Sequence, residues 1–320
     1  MQDSKSKKQK LLQTIGFFAV LGTVLGILNF IFNPLRLGMV KYVTEHDSYF
    51  LSLMEEPEDT IDVLVMGDSL SFGMIDTIDF WEQEGITSYI AGQAGQVVPE
   101  TYFELKKIVK KQSPKVLILE TGVLSHDFST EMHIMVYQTM YDILPVTKYH
   151  ELWKVMLGDK DSPTKEHFKG FEIRDTIGAY SGEEYMFPTE GSEQVRGISR
   201  FYMKKLKKLC DENDIELVLV SMPSPKNYNY EIHNGIEDFA GELGVTYIDF
   251  NLMRDEIGLD WNTDMLDVND HLNYFGTKKT SEWLMQWLKE KYDIKKQTDN
   301  EVINRWNKEL EMFKNQFVAE

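Results

Sequence analysis

Five short apolar runs, at residues 61–66, 88–91, 115–119, 216–221 and 245–250, limit most strongly how this chain can fold. Runs such as Val-Leu-Ile-Leu ending at Leu119 do not alternate with polar residues, so they read as strands covered on both faces. Between them lie segments of helical period. Residues 97–111 place Tyr102, Leu105, Ile108 and Val109 on one face, 201–213 is amphipathic, and 230–243 ends at Gly244, where a C-terminal cap glycine is expected. Strand and helix alternate, which predicts an α/β protein. The expected form is a three-layer α/β/α sandwich around a mainly parallel five-stranded sheet.

Ahead of this pattern, residues 11–32 carry no charge and are rich in Leu, Ile, Val, Phe and Gly. At ~1.5 Å per residue such a helix spans roughly 33 Å, enough to cross a hydrocarbon core. Lys5, Lys7, Lys8 and Lys10 precede it, which predicts a cytoplasmic N-terminus (1–10), a single transmembrane anchor (11–32) and an extracellular remainder. The run exceeds a signal-peptide core, and Asn29-Phe-Ile-Phe32 offers no small-residue cleavage site. The net charge of −18 argues against nucleic acid as a partner. Cys210, the only cysteine, excludes an intrachain disulfide and reads as a buried, inert thiol on a helix.

The remaining boundaries follow. Residues 33–60 form a juxtamembrane segment, and 61–294 the α/β domain. Residues 123–193, including Asp159–Pro163, break the alternation as an insertion with no clean period. Such an insertion lies over the carboxyl ends of the strands, as a lid or as solvated decoration. In 295–320, Val302, Trp306, Leu310 and Phe313 line one face of an amphipathic helix expected to dock on the domain.

Two clusters carry candidate chemistry. Gly67-Asp68-Ser69 ends the first apolar run, where a serine at a strand-to-helix turn presents its Oγ at the sheet edge; the same serine could merely cap a helix. Asp267-Val-Asn-Asp-His271 returns to that edge after the fifth strand. His271 is then a candidate general base. Asp267 or Asp270 would orient the ring, although either could simply start the next helix.

With these clusters the chain resembles the SGNH/GDSL hydrolase superfamily of esterases and acyltransferases. Gly67-Asp68-Ser69 matches its first block, Gly92-Gln-Ala-Gly95 its second and the Asp267–His271 loop its last. The resemblance covers about residues 61–288 and implies a flavodoxin-like SGNH fold with a Ser69–His271–Asp267 triad and Asp270 as the alternative acid. The Ser69 and Gly95 N–H groups would form an oxyanion hole, without metal or cofactor. Two departures stand out. The asparagine of the third block is absent from Glu120-Thr121-Gly122, so either one oxyanion donor is missing or Thr121, Ser125 or a backbone N–H replaces it. The family's acid position, three residues before the histidine, is Val268.

The anchored layout is similar to cell-envelope members, including the teichoic-acid D-alanylation group. It implies an extracytoplasmic serine esterase or O-acyltransferase acting on acylated polysaccharide or teichoic-acid-like substrates, with a multi-span membrane acyltransferase as partner. The alternative is a catalytically silent domain that binds envelope glycan or that partner.

Overall fold

The computed structural model describes residues 2–126, 128–158, 167–195, 197–268 and 270–317. The chain divides into two compact units, residues 1–44 with 136–164, and 45–135 with 165–320. In the first, the helix Gln2–Ile31 contains the stretch Lys7–Ile31, of mean hydropathy 2.1 and unburied. It is the one helix among the described residues long and apolar enough to cross a membrane. Asn29, near its end, accepts the N–H of Val146 at 2.9 Å, at the start of the short helix Val146–Tyr149.

The second unit holds the sheet. Strands β1 (Val63–Met66), β2 (Ser88–Ile90), β3 (Val116–Glu120), β4 (Glu216–Ser221) and β5 (Thr246–Asp249) are all parallel, in the order β2-β1-β3-β4-β5. This is the α/β sheet that the apolar runs predict. Val63, Val65, Val116, Ile118, Val218 and Val220 face one core with the helices Thr77–Glu84, Tyr274–Lys291 and Asn300–Phe317. The alternate residues, such as Leu64, Leu117 and Leu219, are also buried. On that side the helices Val98–Ile108 and Gly197–Glu212 pack on one another, the latter also on β4. Burial on both faces explains why the strands read as continuous apolar runs. From β1 the chain crosses first to one side, to β2, and then to the other, to β3. The crevice at the carboxyl ends of β1 and β3 is therefore a topological switch point, where ligands bind in open α/β sheets.

Several expectations change in detail. Residues 45–60 belong to the α/β unit. The helix Glu45–Leu53 buries Tyr49, whose ring stacks 5.0 Å from Phe72, so this part of the expected juxtamembrane segment belongs to the core. Within 123–193, the helices Phe128–Ile143, Val146–Tyr149 and Leu152–Met156 occupy residues expected to lack regular structure. Met132, Val136, Tyr137 and Ile143 are all exposed, so the first of these helices has no single apolar stripe to announce it. Residues 167–195 lie on the α/β unit, with Phe168 accepting from the Thr77 hydroxyl at 2.7 Å. Asp159–Pro163 falls outside the described residues. The helix Asn300–Phe317 seats Trp306 against Trp81 and Phe313 against Phe168, with ring centroids 5.4 and 5.1 Å apart. Cys210 is buried and its thiol is pushed up to about 12 by burial, consistent with an inert role.

Candidate active site

The nucleophile turn is built by close approach. After β1 the chain bends at Gly67, with φ at +154°, against the end of β3; a Cβ there would collide with Glu120 Cβ. Only glycine fits. Asp68 then caps the short helix Ser69–Gly73, accepting the Leu70 N–H at 2.9 Å. The capping role that Ser69 might have played thus falls to its neighbour. Ser69 Oγ lies 2.8 Å from His271 Nε2.

The second turn braces the first. The Gln93 N–H donates to the Gly67 carbonyl at 3.0 Å, and Gln96 Oε1 accepts the Gly67 N–H at 3.2 Å. Both glutamine amides then donate to the buried Glu104. Gly95 sits between them at φ +72°, a left-handed conformation that suits glycine, beside open space. Among the described residues nothing accepts the N–H groups of Ser69 or Gly95.

The histidine loop is held from below. Leu266 donates its N–H to the His271 carbonyl at 2.8 Å, and Met265 bridges Leu272. Fully buried Asn273 donates to the carbonyls of Thr263 and Met265 at 2.7 and 3.1 Å. Its Oδ1 caps the helix Tyr274–Lys291 by accepting from Phe275 and Gly276. One side chain therefore fixes both the loop and the helix it enters.

Of the two candidate acids, Asp267 is the ring's partner, with Oδ2 2.7 Å from His271 Nδ1 and Oδ1 accepting the His271 N–H at 3.1 Å. Burial pushes this carboxyl up, but the hydrogen bonds from the His271 ring and backbone outweigh it and hold the group below the usual carboxylate value. The arrangement places the proton on Nδ1 and leaves Nε2 to accept from Ser69. Asp270, the alternative acid, stands 3.6 Å from Nδ1 and accepts instead from Ser224 (2.5 Å) and Asn227 (2.9 Å). It is a cavity-wall residue. Thr121, expected as an oxyanion or substrate donor, lines the same cavity as Ser69, with its buried hydroxyl hydrogen-bonded to Ser221 at 2.6 Å.

A cavity of about 440 Å³ opens beside Ser69. Ser69, Gly95 and Gly122 line it together with Ser125, Tyr228 and Asp270. Asp68, Glu120 and Glu193 also face it, and no Lys or Arg does among the described residues. The sequence pattern alone did not identify Glu104, Gln96 or Asn273 as site residues. The available signals were a carboxylate on the inner face of an amphipathic helix and an asparagine just before a helix start.

No protein-family model matches the chain, and no curated protein does. Among solved structures, similar ones include a putative acylhydrolase from Bacteroides fragilis, at 12% identity and TM-score 0.40, covering 76% of this chain and 94% of that one. A GDSL-like lipase from Bacteroides thetaiotaomicron has 12% identity and TM-score 0.40, with coverage of 77% and 98%. A psychrotrophic esterase from Pseudoalteromonas sp. has 12% identity and TM-score 0.37, with coverage of 72% and 97%. These likenesses are distant.

Proposed function

We propose that this chain is a membrane-anchored, extracytoplasmic serine esterase or O-acyltransferase. The observation that carries the reading is the continuous Ser69–His271–Asp267 relay, with contacts of 2.8 and 2.7 Å, at the switch point of the sheet. In the proposed reaction Ser69 Oγ attacks an ester carbonyl carbon while His271 Nε2 takes the hydroxyl proton. Asp267 holds the ring and offsets the imidazolium charge. The Ser69 and Gly95 N–H groups receive the oxyanion, each such donor being worth ~10²–10³ in rate. Collapse expels the alcohol with the proton from His271, and the acyl group then passes to water or to a sugar hydroxyl that His271 deprotonates.

The apolar helix and the lysines before it support an anchor with the catalytic unit outside the membrane. That location, with the resemblance to envelope members, favours acyl esters of cell-envelope polysaccharide or teichoic-acid-like polymers, and a multi-span acyltransferase as the donor partner. A fluorophosphonate probe should label the full-length chain in detergent, and Ser69→Ala should abolish labelling. Labelling that survives the substitution sinks the assignment.

One observation favours the second reading, a silent domain that binds envelope glycan or the acyltransferase. The end of β3 presents no side-chain amide, and the Thr121 hydroxyl is committed to Ser221. An intact chain that neither labels nor hydrolyses p-nitrophenyl acetate, yet retains the polymer or partner, would establish it.

A further inference from the structure

Glu120, at the tip of β3, is buried, yet no cation of the described residues lines the cavity beside it. Its Oε1 accepts the Gly122 N–H at 2.7 Å. No N–H or O–H of the described residues is donated to its Oε2. Across from it is Asp68, whose Oδ1 is occupied by the Leu70 N–H. The two remaining oxygens crowd the same point: a Cβ on Gly122 would stand 2.6 Å from Asp68 Oδ2 and 2.9 Å from Glu120 Oε2. With Glu120 buried and Asp68 only half-buried beside it, the repulsion between two carboxylates is relieved when one keeps a proton. With that proton the contact becomes a hydrogen bond between acid and carboxylate.

We propose that Glu120 is a positioning residue, whose Oε2 shares a proton with Asp68 Oδ2 and so ties the end of β3 to the turn that presents Ser69. Burial first, and the Asp68 charge second, push Glu120 well above the ordinary carboxylate range. The other titratable groups facing the cavity are His126, Glu193, Tyr228 and Asp270, and none is a fixed cation that would draw the proton off. A carboxylic acid kept neutral in this way acts as a hydrogen-bond donor, the part that an asparagine amide plays elsewhere.

The consequence for stability has a definite sign. A carboxyl raised in the fold binds more protons folded than unfolded, so stability declines as pH rises from about 4.5 towards the folded value. Glu120→Gln supplies a permanent amide donor and removes that titration. In the full-length chain in detergent, the melting-temperature difference, Gln variant minus wild type, should grow as pH rises above the ordinary carboxylate value of 4.5. Titrating groups that do not interact with Glu120 are common to both proteins and cancel in this difference.

The labelling arm rests on the reading of Ser69 as nucleophile. There Glu120→Gln should keep the fluorophosphonate rate within about threefold and extend it to higher pH, whereas Glu120→Ala should lose roughly tenfold or more. Equal losses in the Gln and Ala variants, or a melting difference independent of pH, would overturn the shared proton. A wild-type chain that is never labelled would count against the proposed function alone, because the melting comparison still decides the acid pair.

Discussion

The molecule contains two histidine–aspartate pairs with the same contact and different settings. His271 Nδ1 and His233 Nδ1 each lie 2.7 Å from an aspartate oxygen. The first pair sits on a partly exposed loop, where the Asp267 side chain is 47% accessible, and its other nitrogen reaches Ser69. The second joins the helix Tyr230–Leu243 to β5, where the Asp249 side chain is only 4% accessible. Its other nitrogen looks towards Glu237 at 3.7 Å, and Asp249 also accepts from Tyr228 and Tyr247. An oriented imidazole is thus not enough for chemistry. What the far nitrogen can reach decides whether the pair drives a reaction or fastens a helix to a strand.

The sharpest way to break this comparison is to neutralise each acid. Asp267→Asn should lower ester turnover by ~10⁴, because the amide favours the wrong ring tautomer. The equivalent change at Asp249 should leave the turnover of folded protein within about threefold. Equal catalytic losses at the two sites would erase the distinction. Next in size, Asp249→Ala should cost roughly 3–5 kcal/mol in denaturant unfolding, since it leaves His233 and two tyrosine hydroxyls without their acceptor. Asp267→Ala, on the exposed loop, should cost about 1 kcal/mol or less.

Smaller effects sharpen the picture. Asp270→Asn should reduce turnover about tenfold or less, because Asp270 holds Ser224 and Asn227 and is not the ring's nearest acid. A loss as large as that at Asp267 would reinstate it as the triad acid. The smallest effect concerns pH. The hydrogen bond to Asp249, opposed by burial, raises His233 above its ordinary 6.5. Its stabilisation is therefore complete below pH 6.5 and lost as pH rises through the folded value. The melting-temperature advantage of wild type over His233→Gln should shrink over that window, and an advantage that grows with pH would contradict the pairing.

How much of this was legible in the sequence depended on the range of the interaction. Strand β4 and the helix Tyr230–Leu243 begin and end where the pattern places them, because burial on both faces and the left-handed Gly244 are local signals. Strand β1 starts two residues later than the apolar run, since the Ile61 N–H goes to the Gln112 side chain and not to a neighbouring strand. Ser69 and His271 could be paired from their positions after strands. The hydrogen bond of Thr121 could not be read: its partner Ser221 is on a strand one hundred residues away, and nothing in either segment names the other. The acid pair was equally hidden, because a carboxylate at a strand tip reads the same with or without a proton.

The nucleophile and its base are 202 residues apart in the chain. At the usual pace of synthesis, Ser69 leaves the ribosome roughly 10–40 s before His271 exists. During that interval the serine turn has no base, and the cavity lacks the Asp270 side of its wall. Order of manufacture therefore acts as a safety catch: in the growing chain Ser69 stands without His271, and the contact between them closes only after β5 has been made.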